Sequence, residues 1–264
     1  MAEILLPRPA ATVITVRDGA NGYEILMLRR NLNSDFVGGA YVFPGGRVDE
    51  TDAGARAEGL SFGLDDGEAS RRLGLDSGGL AYYVACLREL FEEAGLLVVC
   101  TRDGAPIHLS DDATIQRLAV SRRDVNAGAL DFLELLEQEG FVLDLRGLEY
   151  VAHWVTPAGF SRRFDTRFFM VMAPADQVAT HDAGETVADQ WIRPLDALEA
   201  HARGELEMMP PTTSNLKAIA HLSTARDVLD HARSRSDVVR VEPRIVTRDG
   251  EARLLMPGDD GYDD

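Results

Sequence analysis

One short stretch constrains this chain more than any other, the run R-E-L-F-E-E-A-G-L at 88–96. At about 3.6 residues per helical turn, Glu89 shares a face with Glu92 and Glu93, and the opposite face is apolar. Like charges at this spacing repel one another. Gly95 is a typical helix stop. The run predicts an amphipathic helix with a dense anionic face. A solvated helix has the same pattern, so the run alone does not establish a function.

A glycine-rich turn, F-P-G-G-R-V-D at 43–49, precedes this helix in the chain. Such a turn lets the backbone approach a ligand or metal closely. Turn and helix together resemble the Nudix hydrolase box, G-x5-E-x7-R-E-U-x-E-E-x-G-U, where U is a bulky aliphatic residue. The run at 88–96 matches the second half of the box throughout. Gly46 fits its opening glycine, and Asp52 stands where the family has Glu.

The box is interrupted, because residues 53–87 stand between Asp52 and Arg88 where the family has seven. An interrupted box resembles the peroxisomal-type coenzyme A diphosphatases and their bacterial relatives. We interpret 53–79 as the insertion. Its many glycines predict a loop with a short helix near 66–73. Three roles remain open for it: a lid or specificity element, packing, and a dimer contact.

The resemblance implies an α/β Nudix fold, with a mixed β-sheet between α-helices. We expect one domain at 8–256, with a C-terminal helical and hairpin extension at about 205–256. An acidic tail at 257–264 is expected to be disordered. Apolar spacing predicts helices over 111–140 and over 214–233, the second one after a break at 209–213.

The resemblance also implies the roles of the box residues. Glu92 and Glu93 would coordinate Mg²⁺ or Mn²⁺, Glu89 would bind metal or orient the attacking water, and the Gly45 carbonyl would complete the shell. Arg88 would orient a box carboxylate.

A later segment at 181–192 resembles the Nudix loop whose carboxylate precedes a strand containing Trp. Glu185 is the preferred extra metal ligand or base in that loop, with Asp182 and Asp189 behind it. The general base stays open between Glu89, Glu93 and Glu185.

Two groups of arginines are candidates for substrate contacts. Arg29 and Arg30 end a predicted strand, and solvated strand-end charges are the alternative. The segment R-R-F-D-T-R at 162–167 is very similar to one in the insertion-bearing subgroup, and guanidinium groups suit phosphate oxygens. Salt bridges to the acidic surplus are the alternative there. The candidates in this second group are Arg162, Arg163 and Arg167.

The net charge of −17 disfavours docking on nucleic acid or on anionic membranes. The two cysteines make a disulfide framework implausible. With no long apolar run and no signal-peptide pattern, we expect a cytoplasmic protein that does not bind membranes. A homodimer is left open.

The predicted function is metal-dependent hydrolysis of a nucleoside diphosphate derivative, a small-molecule nucleotide. Coenzyme A or acyl-CoA is the leading substrate, giving 3′,5′-ADP and the (acyl-)4′-phosphopantetheine portion. One alternative is an ADP-ribose, NADH or nucleotide-sugar pyrophosphatase. Another is a Nudix-like domain that binds a nucleotide and regulates without turnover; the replacement at Asp52 leaves room for it, whereas intact Arg88, Glu89, Glu92 and Glu93 argue against it.

Overall fold

A computed structural model describes residues 5–32, 38–182, 184–235, 237–248 and 251–262 of the chain. Its strands are β1 (Arg8–Gly19), β2 (Gly22–Arg30), β3 (Tyr41–Val42), β4 (Gly45–Arg47), β5 (Ser61–Phe62), β6 (Val99–Cys100), β7 (Val142–Asp144), β8 (Glu149–Val155), β9 (Phe164–Met172), β10 (Thr186–Ile192), β11 (Arg240–Val241), β12 (Arg244–Arg248) and β13 (Glu251–Leu255). Its α-helices are α1 (Ala55–Gly59), α2 (Asp66–Leu73), α3 (Leu80–Ala94), α4 (Asp112–Asn126), α5 (Phe132–Glu139), α6 (Pro194–Ala202), α7 (Pro210–Ile219) and α8 (Ala225–Ser234).

The large sheet has the strand order β10-β2-β1-β9-β8-β11, with β3 beside β2 and β4 beside β1. The sheet is mixed, because β1 runs antiparallel to β2 and parallel to β9. The central strand β1 is buried on both faces. Val13 contributes to the core on one side, and Ile14 and Val16 contribute to the core on the other. This alternation follows from the period of two in a β-strand.

Helices cover both faces of the sheet. The first core joins one face to α3, α4 and α5, and the second joins the opposite face to α6, α7 and α8. The predicted α/β fold, a mixed sheet between helices, is therefore confirmed. The shared cores also support a single domain at 8–256, which stays a prediction.

The insertion at 53–79 is more ordered than expected. It contains the predicted short helix as α2, but also α1 and β5, and β5 pairs in parallel with β7. Ala57, Leu60 and Leu73 are buried in the first core. These contacts support the packing role that the sequence left open.

One helix prediction agrees with the structure, and the other needs correction. The span 111–140 forms two helices, because Asp111 and Asp131 each accept a hydrogen bond from a backbone N–H inside the next helix. The span 214–233 is also divided, and the predicted break at 209–213 is wrong. Pro210 and Pro211 begin α7, since the first helical turn needs no proline N–H, and the break lies before the capping box of Thr224.

The C-terminal region forms the hairpin β12–β13, whose turn residues 249 and 250 lie outside the described residues. In the predicted tail, the Tyr262 hydroxyl donates to the carbonyl of Glu242 at 2.7 Å. The disorder expected for 257–264 stays a prediction. Residues 263 and 264 lie outside the described residues. In the described ranges, every helix is too short or too polar to span a bilayer.

Candidate active site

Helix α3 places the row of carboxylates at the edge of the glycine turn. The helix is buried along most of its length, and its apolar side packs in the first core. Gly95 ends it in the left-handed conformation, with φ of 71°, and donates its N–H to the Phe91 carbonyl at 2.9 Å. Glu92 and Glu93 therefore lie in the last turn of α3, close to its C-terminal end.

Arg88 donates hydrogen bonds to three carboxylates, and the carboxylate of Asp49 lies 3.6 Å from its Nη2. Its Nε and Nη2 donate to the two oxygens of Asp52 at 2.8 and 3.0 Å. Its Nη1 donates to Glu89 Oε1 at 2.9 Å and to Glu92 Oε2 at 3.2 Å. The Arg47 carbonyl accepts from Nη2 at 2.8 Å. The geometry agrees with Arg88 orienting box carboxylates, and the Asp at 52 keeps a carboxylate against this guanidinium.

The glycine turn directly contacts the remaining carboxylate. Glu93 is 6% exposed and accepts the N–H of Gly45 at 3.0 Å. A Cβ on Gly46 would overlap the carboxylate of Glu89, so this position must be glycine for Glu89 to keep its place. Both glycines lie in β4, and only Gly46 must be glycine for the fit against α3, because Gly45 makes its contact through a backbone N–H. The Gly45 carbonyl as a metal ligand stays a prediction.

The carboxylates carry more negative charge than Arg88 balances. Burial raises the pKa of Glu89 to about 7, with repulsion from Glu92 adding to the shift. Burial also raises the pKa of Glu92, and it raises that of Glu93 well above its usual range, with repulsion from Glu89 contributing. Burial raises the pKa of Asp52 as well. A further positive charge at this place would favour the ionised carboxylates.

The carboxylates of Glu89, Glu92 and Glu93 are chemically suited to a divalent metal ion of the Mg²⁺ type. Carboxylate oxygens are the ligands that such hard cations prefer, and burial raises the pKa values of Glu89 and Glu93. Within the described residues, no group of three or more His, Cys, Asp or Glu side chains is arranged so that it could hold a metal ion. In this conformation Glu89 and Glu92 contact Arg88, and Glu93 contacts Gly45.

The loop carrying Glu185 and the end of β2 reach the same site. Arg30 lowers the pKa of Glu93 and Glu185 raises it, so both lie within electrostatic reach of that carboxylate. The two side chains lie 3.9 Å apart, and that of Glu185 is 72% exposed. Arg29 is exposed and lies on the opposite face of β2, near the ring of Tyr41. The prediction that Arg29 contacts substrate is not supported by this placement.

The second group of arginines is mostly committed to internal contacts. Arg163 is buried and donates to the carbonyls of Thr156 and Leu5 and to the Glu242 carboxylate. These contacts favour the salt-bridge alternative for Arg163 over phosphate binding.

Arg167 and Arg162 differ in burial. Arg167 is buried over the ring of Tyr82 and forms an ion pair with Asp165 at 3.2 Å. The salt-bridge alternative therefore fits Arg167 as well. Arg162 is exposed just before β9.

Two further acidic candidates stabilise their own loop. Asp182 accepts the backbone N–H groups of Glu185 and Thr186, and Asp189 contacts the His181 ring at 2.6 Å. Neither interaction involves the carboxylates of α3. These geometries explain Asp182 and Asp189 as loop-forming residues rather than extra metal ligands.

Sequence reasoning missed two residues of α4 at this site. Arg122 and Asn126 both donate hydrogen bonds to the carbonyl of Glu92, at 2.9 and 3.1 Å. Their spacing of four places them on one helical face. That spacing is the only local signal, since nothing in the sequence shows that α4 packs on the end of α3.

One surface depression lies away from this site. It has a volume of about 350 Å³ and is lined by residues of β2, β10 and α6, among them Glu24, Trp191 and Arg193. None of its lining residues belongs to the carboxylate site. The depression is therefore separate from the candidate site, which is defined by its side-chain chemistry.

Comparisons with known proteins agree with this geometry. A family model described as the NUDT19 Nudix domain matches residues 68–219. A Xenopus laevis protein named acyl-coenzyme A diphosphatase NUDT19 is 26% identical over 93% of this chain and 73% of its own length. The Homo sapiens protein of the same name is 29% identical over 92% of this chain and 73% of its own length.

A solved structure is also similar over most of its length. A crystal structure of a NUDIX hydrolase from Alicyclobacillus acidocaldarius is 28% identical, with a TM-score of 0.67. The similarity covers 85% of this chain and 96% of that one. The Nudix fold expected from the box is therefore confirmed.

Proposed function

The chain belongs to the NUDT19 Nudix domain family of Nudix hydrolases, and from this premise we propose that it hydrolyses the diphosphate of coenzyme A or acyl-CoA. The proposal rests on one observation above all. Three carboxylates of α3 are desolvated beside Arg88 and the two glycines of β4, which supports a site for a metal and a phosphate anhydride. The relatives named acyl-coenzyme A diphosphatase support the choice of substrate.

In the proposed reaction, water attacks one phosphorus of the diphosphate and the bond from that phosphorus to the bridging oxygen breaks. The products are 3′,5′-ADP and the (acyl-)4′-phosphopantetheine. The attacking water must lose a proton to a nearby base. Glu89, with a pKa raised to about 7, and Glu93 have the burial suited to that task. Glu185 is the third candidate, in a more exposed position.

A divalent ion, which Nudix hydrolases generally use, would be Mg²⁺ or Mn²⁺ held by Glu89, Glu92 and Glu93, with the Gly45 carbonyl and Glu185 as further ligands. When bound, it neutralises phosphate charge and lowers the pKa of water. Arg88 keeps the carboxylates oriented through its contacts to Glu89 and Glu92.

Arg30 is the preferred arginine for a phosphate contact, because it lies beside Glu93 and Glu185. Arg162 is the second, because it is exposed. Cytoplasmic location and a homodimer stay predictions.

Product analysis tests the proposal. The purified protein would be incubated with Mg²⁺ and, separately, with CoA, an acyl-CoA, ADP-ribose and NADH, and the released nucleotides identified by chromatography with mass detection. We expect 3′,5′-ADP from CoA or acyl-CoA faster than AMP from the other two. Glu93→Gln should lower kcat by at least about a hundredfold with the circular dichroism spectrum unchanged.

Glu205→Gln is the matched control, because the Glu205 side chain is 58% exposed in a surface ion pair with Arg203. AMP release from ADP-ribose or NADH in excess would overturn the substrate assignment. Full activity of Glu93→Gln would overturn the site.

A further inference from the structure

A buried arginine outside the box lies at the C-terminal end of α3. Arg122 in α4 is 9% exposed, and its Nε donates a hydrogen bond to the Glu92 carbonyl at 2.9 Å. Its Nη1 donates to the carbonyl of Thr180 at 2.8 Å and contacts the hydroxyl of the same residue at 3.2 Å. One planar side chain therefore joins the last turn of α3 to the segment that leads to Glu185.

The last glycine of the box leaves room for this contact. A Cβ on Gly95 would lie 3.0 Å from Nη1 of Arg122 and 3.4 Å from the hydroxyl oxygen of Thr180. The backbone of Thr180 also donates to the Ala94 carbonyl at 2.9 Å. Gly95 thus ends α3 and also permits the guanidinium to lie between the helix and the 180 segment.

Capping of the helix end does not by itself explain a buried guanidinium. Asn126 already donates to the Glu92 carbonyl at 3.1 Å, and a neutral amide does so without burying a charge. Burial lowers the pKa of Arg122, which expresses the cost of placing its charge there. Its Nη2 atom is buried and lacks a hydrogen-bond partner within the described part of the chain.

The surroundings of Arg122 connect it to the carboxylate site. The carboxylates of Glu93, Asp182 and Asp189 act on its charge in the direction that opposes desolvation. Asp182 in turn accepts the N–H of Glu185 at 3.0 Å. The guanidinium therefore lies between the box helix and the segment that leads to Glu185.

We propose that Arg122 is a positioning residue, which holds Thr180, and with it Asp182 and Glu185, at a fixed place beside Glu93. The inference rests on the proposed function, because it concerns the same site. Arg122 acts through main-chain carbonyls and the Thr180 hydroxyl. Its loss should therefore weaken cation binding at the site and lower kcat. Substrate binding should change little.

The test compares two substitutions of Arg122 with two controls. Arg122→Gln removes the charge and most donors, and Arg122→Lys keeps the charge but loses the planar fork that reaches both carbonyls. Arg117→Gln lies on the same helix, where its ion pair with Glu139 is at the surface. Asn126→Ala removes a contact with the Glu92 carbonyl without touching Thr180.

Three quantities would be measured on the full chain: Mn²⁺ affinity by electron paramagnetic resonance, hydrogen exchange of peptides covering 91–97 and 177–182, and kcat and KM for CoA. For Arg122→Gln we expect Mn²⁺ affinity and kcat to fall about 10–100-fold, the range for residues that orient metal ligands. KM should stay within about twofold, because no substrate contact is lost. Exchange should accelerate in both peptides.

The other variants sharpen the expected pattern. Arg122→Lys should lie between wild type and Arg122→Gln in all three measurements. Arg117→Gln should behave as wild type. Asn126→Ala should accelerate exchange only in 91–97, since it does not contact Thr180.

Two results would overturn the proposal. One is a folded Arg122→Gln protein with wild-type Mn²⁺ affinity and kcat, whether or not exchange accelerates. The other, should Arg122→Gln not fold, is an Arg122→Lys protein with wild-type values for all three quantities. A wild-type protein that binds Mn²⁺ but releases no 3′,5′-ADP defeats the proposed function instead, and the Mn²⁺ and exchange measurements then decide the role of Arg122.

Discussion

At the scale of single residues, the pair formed by Asp52 and Arg88 shows how the departure from the box is accommodated. Asp is shorter than the Glu of the family pattern, yet both of its oxygens contact the guanidinium. It reaches Arg88 because a 3₁₀ turn, Glu50–Asp52, carries it there, and the N–H of Asp49 donates to the same carboxylate at 2.8 Å. The buried pair keeps Arg88 charged and directed at Glu89.

Glu89 should make the stability of the metal-free protein depend on pH. Its pKa is about 7 in the folded state against 4.5 as the ordinary value, so the folded protein binds this proton more tightly than the unfolded chain. Stability from this group is therefore present below pH 4.5 and is lost as the pH rises through 7. The loss corresponds to on the order of 3 kcal/mol.

Glu89→Gln removes this titration. Urea unfolding in EDTA between pH 4.5 and 8 should show wild type losing stability relative to Glu89→Gln as the pH rises, over the interval set by the two pKa values. Added Mg²⁺ should stabilise wild type more at pH 8 than at pH 5. Parallel pH profiles of the two proteins would contradict the burial argument. Glu205→Gln, changed at an exposed ion pair with Arg203, is the control.

At the scale of elements, the glycine turn and α3 depend on each other. The N–H of Gly45 contacts Glu93, and the missing side chain of Gly46 makes space for Glu89. Strand β4 fixes the turn by pairing with β1, where Thr12 is opposite Gly45. Both the sheet and α3 therefore fix the positions of the carboxylates.

The two glycines should respond differently to alanine. A Cβ on Gly46 meets the end of the Glu89 side chain, which can move, whereas a Cβ on Gly45 lies 2.6 Å from the Ala11 carbonyl oxygen, which cannot. We expect Gly46→Ala to lower kcat at least about tenfold with stability changed by less than about 1 kcal/mol. Gly45→Ala should cost about 1–3 kcal/mol of unfolding free energy. Urea unfolding and CoA turnover measure both, and equal stability losses would refute the distinction.

The sequence was most informative where local rules decide the structure. The box helix and its stop at Gly95 follow from periodicity and from the preference for glycine at helix ends, and the short helix α2 was also predicted. The packing of α4 on the end of α3 depends on contacts across some thirty positions, so Arg122 could not be found. The internal contacts of Arg163 could not be found for the same reason, since its partners Leu5 and Glu242 are distant in sequence.

At the scale of the whole molecule, the sheet separates two cores with different contents. The first contains the catalytic helix and the insertion, and the second contains the C-terminal helices. The insertion enters the first core through Leu60 and Leu73, and β5 extends the small sheet with β7 and β6. The segment that interrupts the box therefore packs in the same core as the box helix.

The packing role of the insertion can be separated from a lid role by one truncation. Leu73 in α2 is 6% exposed, so Leu73→Ala should cost about 2–5 kcal/mol of unfolding free energy, as for other buried leucines. Leu195→Ala, at a position that is 54% exposed, is the matched control and should cost less than about 0.5 kcal/mol. A core residue acts on stability alone, so KM for CoA at a temperature where both variants are folded should equal that of wild type. A Leu73→Ala protein with unchanged stability and a KM raised several-fold would instead make the insertion a substrate-contacting element, because the side chain would then matter to the ligand and not to the core.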